Sequence, residues 1–139
     1  MIAGMKLMRY PETLAVVKLG PGADLPAWAE ASSILSITAT ATETSVVCAA
    51  RSVPKKSVHQ RPFTAFEVEG PLDFALTGIL AGLLTPLAEA GISVFTLSTF
   101  DTDWILVPGG DADRAEEEWR RSGHEVLPAV PATPSRKKK

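Results

Sequence analysis

Residues 69–107 read EGPLDFALTGILAGLLTPLAEAGISVFTLSTFDTDWILV, and the spacing of their apolar residues changes part-way through. From Asp73 onward Leu76, Ile79, Leu80, Leu83, Leu84, Leu87 and Ala88 recur at helical spacing, the one-sided stripe of an amphipathic helix. Asp73 or Thr77 would cap its start and Gly91 its end. Residues 92–99 and 104–107 then read as two strands on either side of a Phe100-Asp101-Thr102-Asp103 turn. Working outward, residues 64–69 (TAFEVE) form a strand that stops at Gly70-Pro71. Downstream, Asp111 caps a second helix that buries Ala112, Ala115 and Trp119. Arg120 and Arg121 suit its C-terminal dipole, Gly123 ends it, and residues 125–130 supply a last strand. The order strand, helix, strand, strand, helix, strand is the split βαβ, or ferredoxin-like, α+β unit.

The N-terminal half reads as a reduced copy. Residues 14–19 (LAVVKL) form a strand closed by Gly20-Pro21-Gly22, and residues 26–32 hold at most a two-turn helix. Residues 33–50 suggest an antiparallel hairpin around Ala41-Thr42-Glu43. Residues 52–62 are polar and bounded by proline, the mark of an irregular linker in which His59 is a surface residue; His124 is expected at the surface too. Laying residues 33–47 over 93–107, an offset of 60, aligns Ser33 with Ser93, Thr42 with Thr102 and Val47 with Val107. The opening strands align at an offset of 50, so the first copy lacks ten residues where the second has its long helix. The expected organisation is a truncated unit over residues 8–62, a complete one over 63–130, and a disordered basic tail over 131–139.

With 45% hydrophobic and 22% charged residues the composition is that of a folded globular chain. The formal net charge is −2, and because Arg136 and the three lysines after it are positive, residues 1–135 carry −6. An acidic body is a poor binder of phosphate backbones, so a nucleic-acid partner is not expected. One cysteine, Cys48, and two histidines, His59 and His124, exclude an internal disulfide and a zinc-type cluster. No signal peptide is legible, and the most apolar run, residues 74–87, is too short to span a membrane. A cytoplasmic location, no membrane and no cofactor are the expectation.

The chemistry on offer is recognition. Gly70 and Gly78 bracket the loop into the long helix, where backbone can approach a ligand closely and free N–H groups favour an anion such as a carboxylate. Asp101 and Asp103 can accept hydrogen bonds from an ammonium or guanidinium. The two ends together match a zwitterion, although a plain turn and a solvated hairpin tip would have the same residues. Nothing resembles a nucleophile held beside a base, so an enzyme is not expected. Glu116-Glu117-Glu118 reads as a solvated helix face, and Trp28 and Trp119 as anchors of a core or an interface.

Gly70-Pro71-Leu72-Asp73-Phe74, Thr77-Gly78-Ile79-Leu80, Ala90-Gly91-Ile92 and the run from Ser98 to Asp103 resemble an ACT domain, and more narrowly the tandem ACT proteins of the CASTOR type. The resemblance covers roughly residues 10–130. It departs from the family pattern in the first half, where Ala39-Thr40 and Glu43-Thr44-Ser45 replace an Arg-Thr pair and a Glu-Leu-Ser. It implies two ferredoxin-like ACT units in tandem, the first truncated, forming a non-catalytic module that binds a free amino acid. The implied site has the ligand carboxylate at the backbone of Leu76, Thr77, Gly78 and Ile79. Phe74 or Phe100 lies along the side chain, and Asp103, within Thr99-Phe100-Asp101-Thr102-Asp103, sits at the cationic end, so arginine or another cationic amino acid is favoured. Exposed sheet edges make a homodimer the default, with a regulated protein partner. The alternative is an interaction module without a small-molecule ligand.

Overall fold

The computed structural model describes residues 4–69 and 78–129, and these fall into two compact units. One joins residues 4–11 to residues 64–129; the other is residues 12–63.

The strand β5 (Val58–Val68) serves both units, its first half as the edge strand of residues 12–63 and its second half as the central strand of the other. It was expected only over residues 64–69, with 52–62 as a linker. That expectation fails because the first half of β5 is mostly exposed, so its side chains are polar and carry no apolar alternation. Pro62 misled for a second reason. Leu14 pairs with Phe63 and Val16 with Gln60, so two residues of β5 oppose Ala15, and a proline fits such a bulge because it has no N–H to donate.

In the C-terminal unit β5 leads to α1 (Ile79–Glu89), β6 (Phe95–Ser98), β7 (Asp103–Pro108), α2 (Ala112–Arg121) and β8 (Glu125–Pro128). This is the expected split βαβ, with one unexpected addition. Residues Lys6–Arg9 form β1, antiparallel to β5 and parallel to β8, giving the order β6-β7-β5-β1-β8. The N-terminal boundary expected at residue 8 therefore moves, because residues 4–11 belong to this unit. Four residues with a charge at each end gave no strand signal. Those charges are met locally, Lys6 by Glu69 (3.6 Å) and Arg9 by Asp113 (2.8 Å) and Glu116.

Of the helical stripe Ile79, Leu83 and Leu87 are buried, with Leu80 and Leu84 packed beside them, whereas Ala88 is exposed and Leu76 lies outside the described residues. Trp119 of α2 stacks edge-on against Phe66, centroids 4.9 Å apart, and its indole N–H donates to the carbonyl of Leu83 (2.8 Å). Each such large side chain contributes about 1.5–3 kcal/mol through burial. Both helices end in the same way. Gly91 and Gly123 take positive φ, 75° and 95°, and the next residue's N–H returns to the carbonyl three before the cap, Ile92 to Leu87 and His124 to Trp119, each at 2.9 Å. Asp111 precedes α2, but it pairs with Arg114 (2.8 Å) and makes no side-chain cap.

The N-terminal unit runs β2 (Leu14–Leu19), a 3-10 turn (Ala27–Ala29), β3 (Ser36–Ala39), β4 (Thr44–Ala49), a second 3-10 turn (Ala50–Ser52) and the first half of β5. Its order, β3-β4-β2-β5, is that of the ferredoxin-like sheet, with three-residue turns where the other unit has helices. Its core consists mainly of small residues: Ala15, Val17, Ala29, Val46, Cys48, Ala50 and Val53, with Trp28 half-buried against them. Polar bonds take over the work of helix packing. Glu12 accepts from the N–H (2.9 Å) and hydroxyl of Ser33 and from Arg51, while buried Ser32 bridges Ala29 O (2.8 Å) and Ala49 N (2.7 Å). Burial raises the Glu12 carboxyl, yet these donors outweigh it and hold the group below its ordinary value.

The two hairpins confirm the repeat and correct its offset. Ala39 pairs with Thr44 and Ser98 with Asp103, each partner shifted by 59 rather than 60. Because side chains alternate along a strand, a slip of one would exchange the two faces of the sheet.

Candidate functional site

At the correct offset the two hairpins share one turn. The Thr40 N–H donates to Glu43 O (2.9 Å), and the Thr99 N–H to Thr102 O (2.8 Å). Both threonine hydroxyls bond that same carbonyl, at 3.3 and 3.2 Å, and accept the N–H of the residue bearing it, at 3.1 and 3.3 Å. The residues around the turns differ. In the C-terminal hairpin Thr102 is buried and its hydroxyl donates to Val68 O (2.5 Å), which ties the turn to the end of β5. The next residue, Asp103, is half-buried and accepts from the Ser98 hydroxyl at 2.6 Å. Its counterpart is Thr44, opposite Ala39.

Strand parity places Asp103 on the same face as Ile105 and Val107, which pack in the core with α1. Asp103 therefore lies on the side of the sheet that α1 covers. Gly78 stands immediately before α1 with φ 79° and itself has no side chain to cap the helix. A Cβ at Gly78 would meet nothing within 4 Å, yet any L side chain is strained at that φ. Gly78→Val therefore perturbs the helix start and is a poor probe of ligand approach.

The remaining expected site residues fare differently. Ile79 is a core residue, so only its backbone is available. Thr99 serves the turn, Asp101 is exposed at its tip, and Phe100 is 82% exposed. Gly70, Phe74, Leu76 and Thr77, and the expected caps Asp73 and Thr77, lie outside the described residues, as does the basic tail.

Neither histidine is an exposed surface residue. His59 is half-buried in β5 with Nδ1 on Ser57 O (2.7 Å). His124 is only 5% exposed; its Nδ1 accepts the Met5 N–H (3.2 Å), its Nε2 has no partner among the described residues, and burial pushes its pKa down. The signal was present in the sequence, since the second residue after a glycine-terminated helix often packs back against it. Of Glu116-Glu117-Glu118 only Glu117 is fully exposed; Glu116 pairs with Arg9 and with Arg120 (3.0 Å).

Catalytic alternatives find little support. Cys48 is buried and its thiol is pushed up to about 11 by burial and by Glu12, so it is not a ready nucleophile. Among the described residues no group of acidic, histidine or cysteine side chains could hold a metal, and no helix is long and apolar enough to cross a membrane. The depression along α2, lined by Asp113, Arg114, Glu116, Glu117 and Arg120, has its acids engaged by arginines.

Comparison with known proteins agrees with this geometry. The ACT domain family model matches residues 58–117. Residues 58–117 are thus similar to an ACT domain. A second family model, of an N-terminal domain, matches residues 12–56. The crystal structure of a protein from Agobacterium tumefaciens is 30% identical over 93% of this chain and 96% of its own, with a TM-score of 0.85, and the chain belongs to the same family. A Vibrio cholerae protein described as a possible transport protein superposes at a TM-score of 0.72, with 17% identity over 86% of this chain and 91% of its own. The regulatory subunit of aspartate kinase from Thermus flavus does so at 0.61, with 9% identity over 87% and 99%. These last two likenesses are of fold. No curated protein matches the sequence significantly.

Proposed function

We propose that this ACT-domain protein is a non-catalytic regulatory module that binds a free cationic amino acid, arginine among them, in its C-terminal unit, in the manner of the CASTOR-type proteins it resembles. The observation that carries the reading is Asp103: a half-buried carboxylate beside a tethered turn, on the face of the sheet that α1 covers. The ligand carboxylate lies against the backbone around Gly78 and its cationic group against Asp103. The reading includes the tandem arrangement with a truncated first unit, a homodimer and a cytoplasmic location, with a regulated protein partner. The relation to an aspartate kinase regulatory subunit supports it through the fold.

A second reading has its own observation. Phe100 is 82% and Val94 39% exposed on one hairpin, a surface suited to a protein partner. A thermal-shift screen against the twenty amino acids separates the two, because a ligand that binds only the folded state raises the Tm. Stabilisation by cationic amino acids, lost in Asp103→Asn, supports the first reading. Stabilisation by none favours the second.

A further inference from the structure

His124 stands between α2 and β8, and its buried ring fills the place of a backbone carbonyl: Nδ1 accepts the Met5 N–H (3.2 Å) just ahead of β1. A backbone N–H can only donate, so Nδ1 carries no proton and the ring is the neutral tautomer with its proton on Nε2. The bond belongs to one corner of the C-terminal unit. Around it the Gly4 N–H donates to Gly123 O (3.1 Å), the Glu125 N–H to Met5 O (2.9 Å) and the His124 N–H to Trp119 O (2.9 Å).

We infer that His124 is an acid-released latch: protonation of Nδ1 frees Gly4 and Met5 from Gly123 and Glu125 while the rest of the unit stays folded. A proton on Nδ1 sets one donor against another and leaves a charge in a buried place. No described anion awaits that charge. The charged groups brought to this corner by β1, the last turn of α2 and β8 are Lys6, Glu118, Arg120, Arg121 and Glu125, and α1 adds only Glu89. Lys6 pairs with Glu69 (3.6 Å), Arg120 with Glu116 (3.0 Å) and Arg121 with Glu118 (2.8 Å), while Glu89 and Glu125 are exposed; none of them bonds to the ring. The protonated ring is therefore satisfied only in water, and turning out to reach it breaks the Met5 bond. Burial already pushes the His124 pKa down, so the open form gains as pH falls below the ordinary histidine value of about 6.5. Release stays local because β1 keeps its other neighbour: Leu7, Met8 and Arg9 pair with Val68, Glu67 and Phe66 of β5.

The test is native-state hydrogen exchange of the full-length protein, followed residue by residue by NMR between about pH 7.5 and 5, for wild type and His124→Asn. Asparagine places its carbonyl oxygen where Nδ1 stands and does not titrate. In wild type, protection of the Met5 and Glu125 amides, corrected for intrinsic rates, should fall by up to about ten-fold per pH unit below 6.5, while Phe66 and Ile105 keep theirs. In His124→Asn the protection of Met5 and Glu125 should not vary with pH. Protection that is constant in wild type, a loss shared equally by Phe66 and Ile105, or the same pH dependence in His124→Asn overturns the inference. Should that variant fail to fold, the imidazole nitrogen shifts of wild type decide. An unprotonated Nδ1 at neutral pH whose titration tracks the loss at Met5 supports the latch, and a proton on Nδ1 at neutral pH, or titration without that loss, overturns it.

Discussion

Hairpins β3–β4 and β6–β7 close through the same threonine, Thr40 in one and Thr99 in the other, with hydrogen bonds that agree to within about 0.2 Å. The surroundings differ. One belongs to a unit whose helices have shrunk to 3-10 turns and whose sheet packs on alanine, valine and a buried cysteine. The other belongs to a unit with two full helices, a Phe66–Trp119 pair in its core and a carboxylate at the mouth of its turn. The difference teaches that backbone architecture is shared by both copies while apolar packing and the acidic residue after the turn are concentrated in one. The polar bonds around Glu12 and Ser32 are what the reduced copy uses instead of helices.

That contrast can be broken most forcefully at its two tryptophans. Trp119→Ala removes a fully buried side chain together with its bond to Leu83 and should cost about 3–5 kcal/mol. Trp28→Ala, at a half-buried position, should cost clearly less, and urea denaturation of both variants reads the difference directly. Equal costs would mean that the two cores are not ranked as described.

Glu12 sharpens the other side of the comparison. Glu12→Gln should destabilise by about 1.5–3 kcal/mol, the range for hydrogen bonds to a charged group. The folded-state pKa of Glu12 is lowered, so its contribution is fully present above the ordinary carboxylate value and is lost as pH falls through the folded one. The cost of Glu12→Gln, measured by denaturation at pH 7 and again near pH 3, should therefore shrink on acidification.

His124 gives the C-terminal unit a pH dependence of its own. Its folded pKa is depressed by burial, so below about pH 6.5 the unfolded chain binds a proton that the folded one refuses, and stability falls with pH by at most about 1.4 kcal/mol per unit. His124→Gln, which keeps an acceptor for the Met5 N–H, should flatten the stability profile between pH 5 and 7. A slope unchanged in that variant would assign the titration elsewhere.

Most of the C-terminal unit was legible because long periodic signals belong to it: the leucine stripe of α1, the strands around the acidic turn, and glycines that end both helices. What was hidden was hidden for physical reasons. β1 has only four residues with a charge at each end, and the first half of β5 is mostly polar because it is exposed. The offset was misjudged by one because Ser33/Ser93 and Val47/Val107 are alike in residue type, whereas register is fixed by the turn, where Thr40 matches Thr99. Of the proposed site, Asp103 was named from its motif. Ser98 was quoted in that motif but given no role, since a pairing across a hairpin depends on register.

The smallest expected effect tests whether the two turns are equivalent. Thr40→Val and Thr99→Val each remove one hydroxyl bridge and should each cost about 1 kcal/mol. The measurement that bears most directly on the account is an amide NMR titration of the full-length protein with lysine and with arginine. The account predicts that resonances of residues 78–79 and 98–103 move with a saturable dependence on ligand, and that those of residues 39–44 stay still. Movement of residues 39–44 with 98–103 silent would contradict it.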